Sequence, residues 1–232
     1  MNFEKDLNEL IGFALSAWQI EQFNLYFEYL IEYNKITNLT RITEKEEVFY
    51  KHFYDSVTLV NTLDFSKVNS ICDMGAGAGF PSLPLKIVFP HLNVTIVDSL
   101  GKRITFLNLL VAKLKLNNVE INHDRNEVFA LKHQQEYDVV TARALGNLSL
   151  ILEMGMPMLK VNGSFIAPKG VQCDQEIDES GNALQILGGK ITKIVRFNLP
   201  NEFGQRANIL INKTKHTKGY PRTFAQMSHK AL

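Results

Sequence analysis

From Val68 onward, short β-type apolar runs alternate with amphipathic helical segments, and the last two runs are separated by only eight residues, "NLPNEFGQ". The spacing predicts strands at 69–72, 94–97, 119–122, 137–141, 163–167, 190–197 and 206–212. Helices are expected near 81–88, 101–116, 125–132, 147–159 and 173–187. Strand, helix, strand in repetition requires a parallel sheet covered by helices on both faces. Eight residues cannot supply a helical crossover, so the last two strands must form an antiparallel hairpin. The expected fold is therefore α/β, a Rossmann-like seven-stranded sheet with an antiparallel last strand, which differs from the all-parallel sheet of a nicotinamide-binding domain.

The chain has 232 residues and is 45% hydrophobic, enough for a sizeable core with an appendage. Within "WQIEQFNLYFEYLIEY" (18–33), Trp18, Phe23, Tyr26, Phe27, Leu30 and Ile31 recur at helical spacing and form a broad face that must pack on something. Thr43 with Glu46 three positions on reads as a capping box opening another helix. We therefore expect an N-terminal helical extension at 1–66 packed on the core, the α/β domain at 67–212, and a basic C-terminal tail at 213–232. Residues 1–47 carry nine acids against four bases, whereas 213–232 carries five bases and no acid, although the formal charge of the whole is only +1. No run reaches the roughly 18 apolar residues of a membrane span, and "MNFEKDLNEL" is charged where a signal peptide is apolar, so a cytoplasmic protein is expected. Cys72 and Cys173 lie far apart with no Cys-x-x-Cys pattern, which argues against a disulfide framework or a metal site.

The stretch "ICDMGAGAGFPSLPL" (71–85) places Gly75, Gly77 and Gly79 at the end of the first expected strand. Such a turn lets a ligand lie against backbone N–H groups at the carboxyl edge of the sheet. The pattern is GxGxG followed by Phe80, not the GxGxxG of a pyrophosphate turn, and no Gly-Lys-Ser/Thr follows as in a phosphate-binding loop. Asp73 precedes the turn. Asp98 ends the second strand 23 residues after Gly75, where a carboxylate can bind both hydroxyls of a ribose. A ribose without a pyrophosphate points to S-adenosylmethionine. The alternative role for Asp98 is to cap the helix that begins within "SLGKRITF".

The chain resembles the bacterial 16S (small-subunit) ribosomal RNA guanine-N7 methyltransferases, the glucose-inhibited division protein B family. The resemblance is carried by "NLTRI" (38–42), "HFYDS" (52–56), "DMGAGAGFPSLPL" (73–85), "VDSLGKRITFL" (97–107), "RNE" (125–127), "ARAL" (142–145), "PKG" (168–170) and "YPR" (220–222). It implies a class I S-adenosylmethionine-dependent methyltransferase acting on a guanine N7, with small-subunit ribosomal RNA or a ribosomal particle as partner. It also implies cofactor contacts at Gly75, Phe80, Asp98, Asn126, Glu127 and Arg143. Ser82 stands where the family has glycine, and "TFAQMSHKAL" departs from the family's tail.

The residues agree with that chemistry. Amino-group methylation commonly uses an Asn/Asp-Pro-Pro-aromatic turn after the fourth strand, where this chain reads "TARAL". Carbon methylation needs a thiolate nucleophile, and neither cysteine sits in a fitting loop. Guanine N7 has an in-plane lone pair and no proton to remove, so alignment and exclusion of water can suffice. Arg143 is the candidate catalytic residue, either orienting the base through O6 or contacting the cofactor. His52 and Asp55, one helical turn apart, either border the active site or hydrogen-bond each other. Lys102, Arg103, Lys169, Lys215, Lys218 and Arg222 are candidates for RNA phosphates, against a solvated role for each. The competing readings are a methyltransferase for another RNA, a protein or a small molecule, a nicotinamide oxidoreductase, and a non-catalytic RNA-binding module. The expected state is a monomer.

Overall fold

The computed structural model describes residues 2–170 and 173–232. Its sheet comprises β1 (Ser70–Met74), β2 (Asn93–Asp98), β3 (Val119–His123), β4 (Tyr137–Thr141), β5 (Leu159–Lys169), β6 (Gly189–Asn198) and β7 (Gln205–Lys213), in the order β3-β2-β1-β4-β5-β7-β6. The first five strands pair in parallel. β7 enters antiparallel between β5 and β6, so the hairpin expected from the short connection is present. β1 lies between β2 and β4, which is where the strand order reverses and where open α/β sheets bind ligands. Met74, Asp98, His123, Thr141 and Lys169 end their strands on that edge. Because β7 runs the other way, its first residues, Gln205 and Arg206, join this carboxyl edge and its last, Lys213, emerges at the opposite one.

The crossover helices are α5 (Ser82–Val88), α6 (Gly101–Lys113), α7 (Asn126–Lys132) and α8 (Leu148–Gly155); α9 (Cys173–Glu179) and α10 (Gly181–Leu187) precede the hairpin. The segment expected as one helix at 173–187 is thus two. That expected at 147–159 ends at Gly155 in a 3-10 turn containing Pro157.

Ahead of the sheet lie α1 (Phe3–Ile11), α2 (Ala17–Asn34), α3 (Lys45–Val48) and α4 (Asp55–Val57), the last two joined by a π-helical turn over Phe49–Tyr54. Thr43 does not form the expected capping box: Glu44 occupies the cap position of α3 and no side chain caps it. The box forms instead at Ser16 and Gln19, ahead of α2. Phe3, Phe23, Tyr26, Leu30, Phe49 and Phe53 share one hydrophobic cluster with Ile71, Val94, Ile96 and Val139 of the sheet. The buried Gln22 amide donates to the Leu114 carbonyl at 2.8 Å, a further bond between α2 and the α/β layer. Trp18 does not belong to the buried face; it is 43% exposed, with the Lys115 ammonium over its ring. Among the described residues no helix is long and apolar enough to cross a membrane.

The tail is docked along its length. Lys213 is buried and donates to the carbonyls of Leu159 (2.6 Å) and Pro157 (3.3 Å), and burial pulls its pKa down to about 8. Thr217 donates to Ile186 and Gln134 to Tyr220 as the chain crosses the helices toward α11 (Phe224–His229), which opens with a capping box of Thr223 and Gln226 and is not among the expected helices. Arg222 gives two 2.7 Å bonds to the carboxylate of Glu153, which is 1% exposed. Arg222, a candidate for RNA phosphate in the sequence, thus has its guanidinium paired with a buried charge. Lys215 and Lys218 follow the end of β7 at the amino edge, where Lys215 packs on Gly188, away from the glycine turn.

Arg222→Ala strands the Glu153 carboxylate in the core and should cost about 3 kcal/mol or more. The expected result is a clearly lower urea midpoint, with the salt dependence of RNA binding unchanged.

Candidate active site

The glycine turn is held from several sides. Gly75 N–H donates to the Val97 carbonyl at 2.7 Å, and Gly77 N–H to Asp98 Oδ2 at 3.2 Å. Gly75 and Gly77 have φ of +66° and +61°, a region that side chains disfavour. Their surroundings differ. A Cβ at Gly75 would lie 2.6 Å from Leu145, whereas one at Gly77 would meet nothing within 4 Å. Gly77 therefore presents bare backbone to open space at the switch point.

Asp98 joins the start of α6 to the glycine turn. Its Oδ1 accepts from Leu100 N at the start of α6, and its Oδ2 accepts from Gly77 N and from Arg103 Nη1 at 3.2 Å. Arg103 is thus paired with Asp98, while its side chain stays partly exposed; Lys102 beside it is exposed. Asp73 lies fully buried beneath the turn, where Oδ2 accepts from Ser82 N at 3.0 Å. Its Oδ1 and the Ser82 hydroxyl have no partner among the described residues. Burial pushes the Asp73 carboxyl up to about 7.

At the end of β3, Asn126 Oδ1 is buried and likewise without a partner among the described residues. Glu127 is buried and accepts from Arg125 Nε at 2.5 Å. The Arg125 guanidinium lies 5.0 Å from the ring centre of Phe224, so α11 reaches this end of the edge.

The other wall belongs to the N-terminal helices. Phe80 stacks on Tyr26 (5.5 Å, 10°) and on His52 (4.6 Å, 17°), and the Arg143 guanidinium lies 5.8 Å from its centre. Arg143 Nη2 donates to the Lys51 carbonyl at 2.7 Å and sits 3.2 Å from Asp55 Oδ2 and 3.3 Å from His52 Nδ1. His52 and Asp55 therefore do not pair with each other; both converge on Arg143. Because a guanidinium only donates, His52 Nδ1 accepts, which leaves the proton on Nε2 to meet Thr40 Oγ1 at 2.8 Å. Burial and the adjacent Arg143 charge pull the His52 pKa down to about 3.

Between the ends of β4 and β5 lies a cavity of about 360 Å³ lined by Asp55, Arg143, Gly146, Lys169, Glu176 and Arg206 among others. Lys169 is almost enclosed and donates to Glu176 Oε2 (2.6 Å) and the Gly146 carbonyl (2.9 Å). It faces this cavity. Arg206 reaches Asp55 Oδ1 at 3.4 Å. Neither Arg206 nor Glu176 stands out in the sequence. Arg206 could have been found by following the hairpin back to the carboxyl edge; Glu176 carries no such signal.

The profile of the family described as GidB, rRNA small subunit methyltransferase G, matches residues 19–205. The chain belongs to this family. It is 52% identical over 227 residues to the ribosomal RNA small subunit methyltransferase G of Bacillus cereus, covering 96% of this chain and 95% of that one. The relative of the same description from Bacillus anthracis shows the same identity and coverage. Among solved structures, a SAM-dependent methyltransferase from Aquifex aeolicus superposes with a TM-score of 0.55 at 16% identity, over 76% of this chain and 97% of that one. M. jannaschii TYW2 in complex with AdoMet gives 0.53 at 15% identity, over 68% and 76%. These structural likenesses establish the methyltransferase fold, and the sequence match establishes membership of the methyltransferase G family.

In this family member the His52 ring should not titrate between pH 5 and 8. Heteronuclear NMR of the imidazole should report the Nε2-protonated tautomer throughout. A midpoint near pH 6.5 would show that Arg143 does not hold the ring as described.

Proposed function

We propose that this enzyme transfers the methyl group of S-adenosylmethionine to N7 of a guanine in small-subunit ribosomal RNA. The observation that carries the proposal is the juxtaposition, on one sheet edge, of the open backbone at Gly77 and a nucleotide-sized cavity, with Arg143 between them. The relatives' name supplies the RNA; the geometry supports a base-sized substrate.

The cofactor fits the groups present. Asp98 at the end of β2 is the ribose carboxylate, the buried acceptor Asn126 Oδ1 together with Glu127 suits an amino-bearing nucleobase, and Gly75, Gly77 and Phe80 border the space between. Asp73 supports the turn from below and holds the start of α5. When bound, the cofactor supplies an electrophilic methyl on a sulfonium. The chain's own residues have a limited task. His52 is held neutral with its proton committed to Thr40, so no base is aimed at the substrate, and guanine N7 needs none. Arg143 is fixed by Asp55, His52 and the Lys51 carbonyl, and orients the base by donating toward O6 while leaving N7 free.

RNA approaches along the carboxyl edge. Lys102 is exposed there, and Arg41 is exposed beside Thr40, the residue hydrogen-bonded to His52. Neutralising Lys102 and Arg41 together should flatten the salt dependence of RNA binding by about 0.7 to 0.9 log units of slope for each phosphate ion pair removed. Neutralising Lys215 and Lys218 at the far edge should leave the slope as it is.

For the cofactor, Asp98→Asn should weaken S-adenosylmethionine binding about tenfold to a hundredfold by calorimetry, through loss of charge-assisted bonds. For the reaction, small-subunit RNA from a strain lacking this gene should gain one N7-methylguanine when treated with enzyme and cofactor, detected by mass mapping and strand scission. Methyl found on any other guanine atom would contradict the proposal.

A further inference from the structure

The geometry points to Glu176, with Lys169, as the pair that selects guanine by reading its Watson–Crick edge in the cavity between β4 and β5. This inference rests on the reading of the enzyme as a guanine-N7 methyltransferase. If N7 and O6 face Arg143 and the glycine turn, the opposite edge of the base, N1–H and the exocyclic N2 amine, must face the far side of the cavity. Its far wall is formed by the end of β5 and by α9, which contribute Lys169 and Glu176.

The two side chains present a donor next to an acceptor. Lys169 Nζ directs two of its three protons to Gly146 O and Glu176 Oε2, leaving one. Glu176 Oε2 is engaged by Lys169, and Oε1 accepts no hydrogen bond among the described residues. Guanine offers O6 as acceptor beside N1–H and N2–H as donors. O6 lies between the two edges and has two lone pairs, so it can accept from Arg143 on the N7 side and from the ammonium on the N1 side, while the carboxylate suits the two N–H groups. Adenine offers an amine where O6 would be and a bare N1 where the carboxylate waits, so it opposes donor to donor and acceptor to acceptor.

The neighbouring acid is not available for this task. Asp55 is 5% exposed, and its two oxygens are committed to Arg143 and Arg206. It positions those guanidinium groups. Arg143, Lys169 and Arg206 against Asp55 and Glu176 leave the lining with one net positive charge, which matches a single phosphodiester. A volume of about 360 Å³ suits one nucleotide turned out of its stack, the usual way an RNA base is presented to an enzyme.

The test replaces one functional group on each side. Small-subunit RNA carrying guanine, inosine or 7-deazaguanine at the mapped position is prepared by ligation, and single-turnover methylation is measured with the parent and with Glu176→Gln. Inosine keeps N7, O6 and N1–H but lacks the N2 amine. The parent should prefer guanine over inosine about tenfold to a hundredfold. In Glu176→Gln the preference should fall to near one, chiefly through slower reaction on guanine, with the Kd for S-adenosylmethionine unchanged by calorimetry. Equal rates on guanine and inosine with the parent would overturn the proposal by themselves, whatever the variant does. A variant that retains the parent's preference would overturn it as well. Methylation of 7-deazaguanine RNA by the parent would instead overturn the N7 reading, and this proposal with it.

Discussion

The turn from Gly75 to Gly79 presents bare backbone at the carboxyl edge of the sheet, and three hydrogen bonds to the turn and a fourth just beyond it, at Ser82, keep it in place. The β2 carbonyl of Val97 takes Gly75 N–H, Asp98 takes Gly77 N–H, the Tyr26 hydroxyl donates to the Ala78 carbonyl at 2.5 Å, and Asp73 beneath takes Ser82 N–H. A buried carbonyl without its donor costs about 1–3 kcal/mol, so each of these elements has a direct hold on the pocket. The N-terminal helices are therefore part of the site: Tyr26, His52 and the Lys51 carbonyl build the wall on which Phe80 and Arg143 rest.

Charge at the site is organised in the same way, by shared partners. Arg143 and Arg206 share Asp55, Arg103 is held by Asp98, and Lys169 by Glu176. These pairs fix side chains whose flexibility would otherwise blur the position of a base or ribose, and they leave only a small net positive charge along the edge. This explains how a chain with a formal charge of +1 can suit RNA. Lys102 and Arg41 are placed at the rim, while the tail's bases hold the fold together or are carried to the far edge.

The strands were legible because hydrophobic runs and connection lengths are local. β4 occupies the expected residues 137–141, and the hairpin follows from its eight-residue link. The position of Asp98 beside the glycine turn was legible because both close consecutive strands of one β–α–β unit. Charge partners were not. Arg222 and Glu153 lie 69 residues apart, and nothing in either neighbourhood indicates that a guanidinium will cover a buried acid. The antiparallel β7 delivers the tail, with Lys215 and Lys218, to the amino edge of the sheet, and the charge count that singled these residues out carries no information on which edge they reach. Thr43 and Glu46 show the limit of a local motif, since packing of the aromatic π-helical turn takes precedence over a cap.

The claim that the helical segment and the glycine turn form one binding unit is tested most directly by calorimetric titration of S-adenosylmethionine into Tyr26→Phe. This variant keeps the ring stacked on Phe80 and removes only the hydroxyl that holds the carbonyl of Ala78, the residue next to the bare backbone at Gly77. A cofactor Kd raised about tenfold, with the secondary structure of the parent, is the predicted result. A Kd equal to the parent's would contradict it and make the N-terminal helices a separate layer.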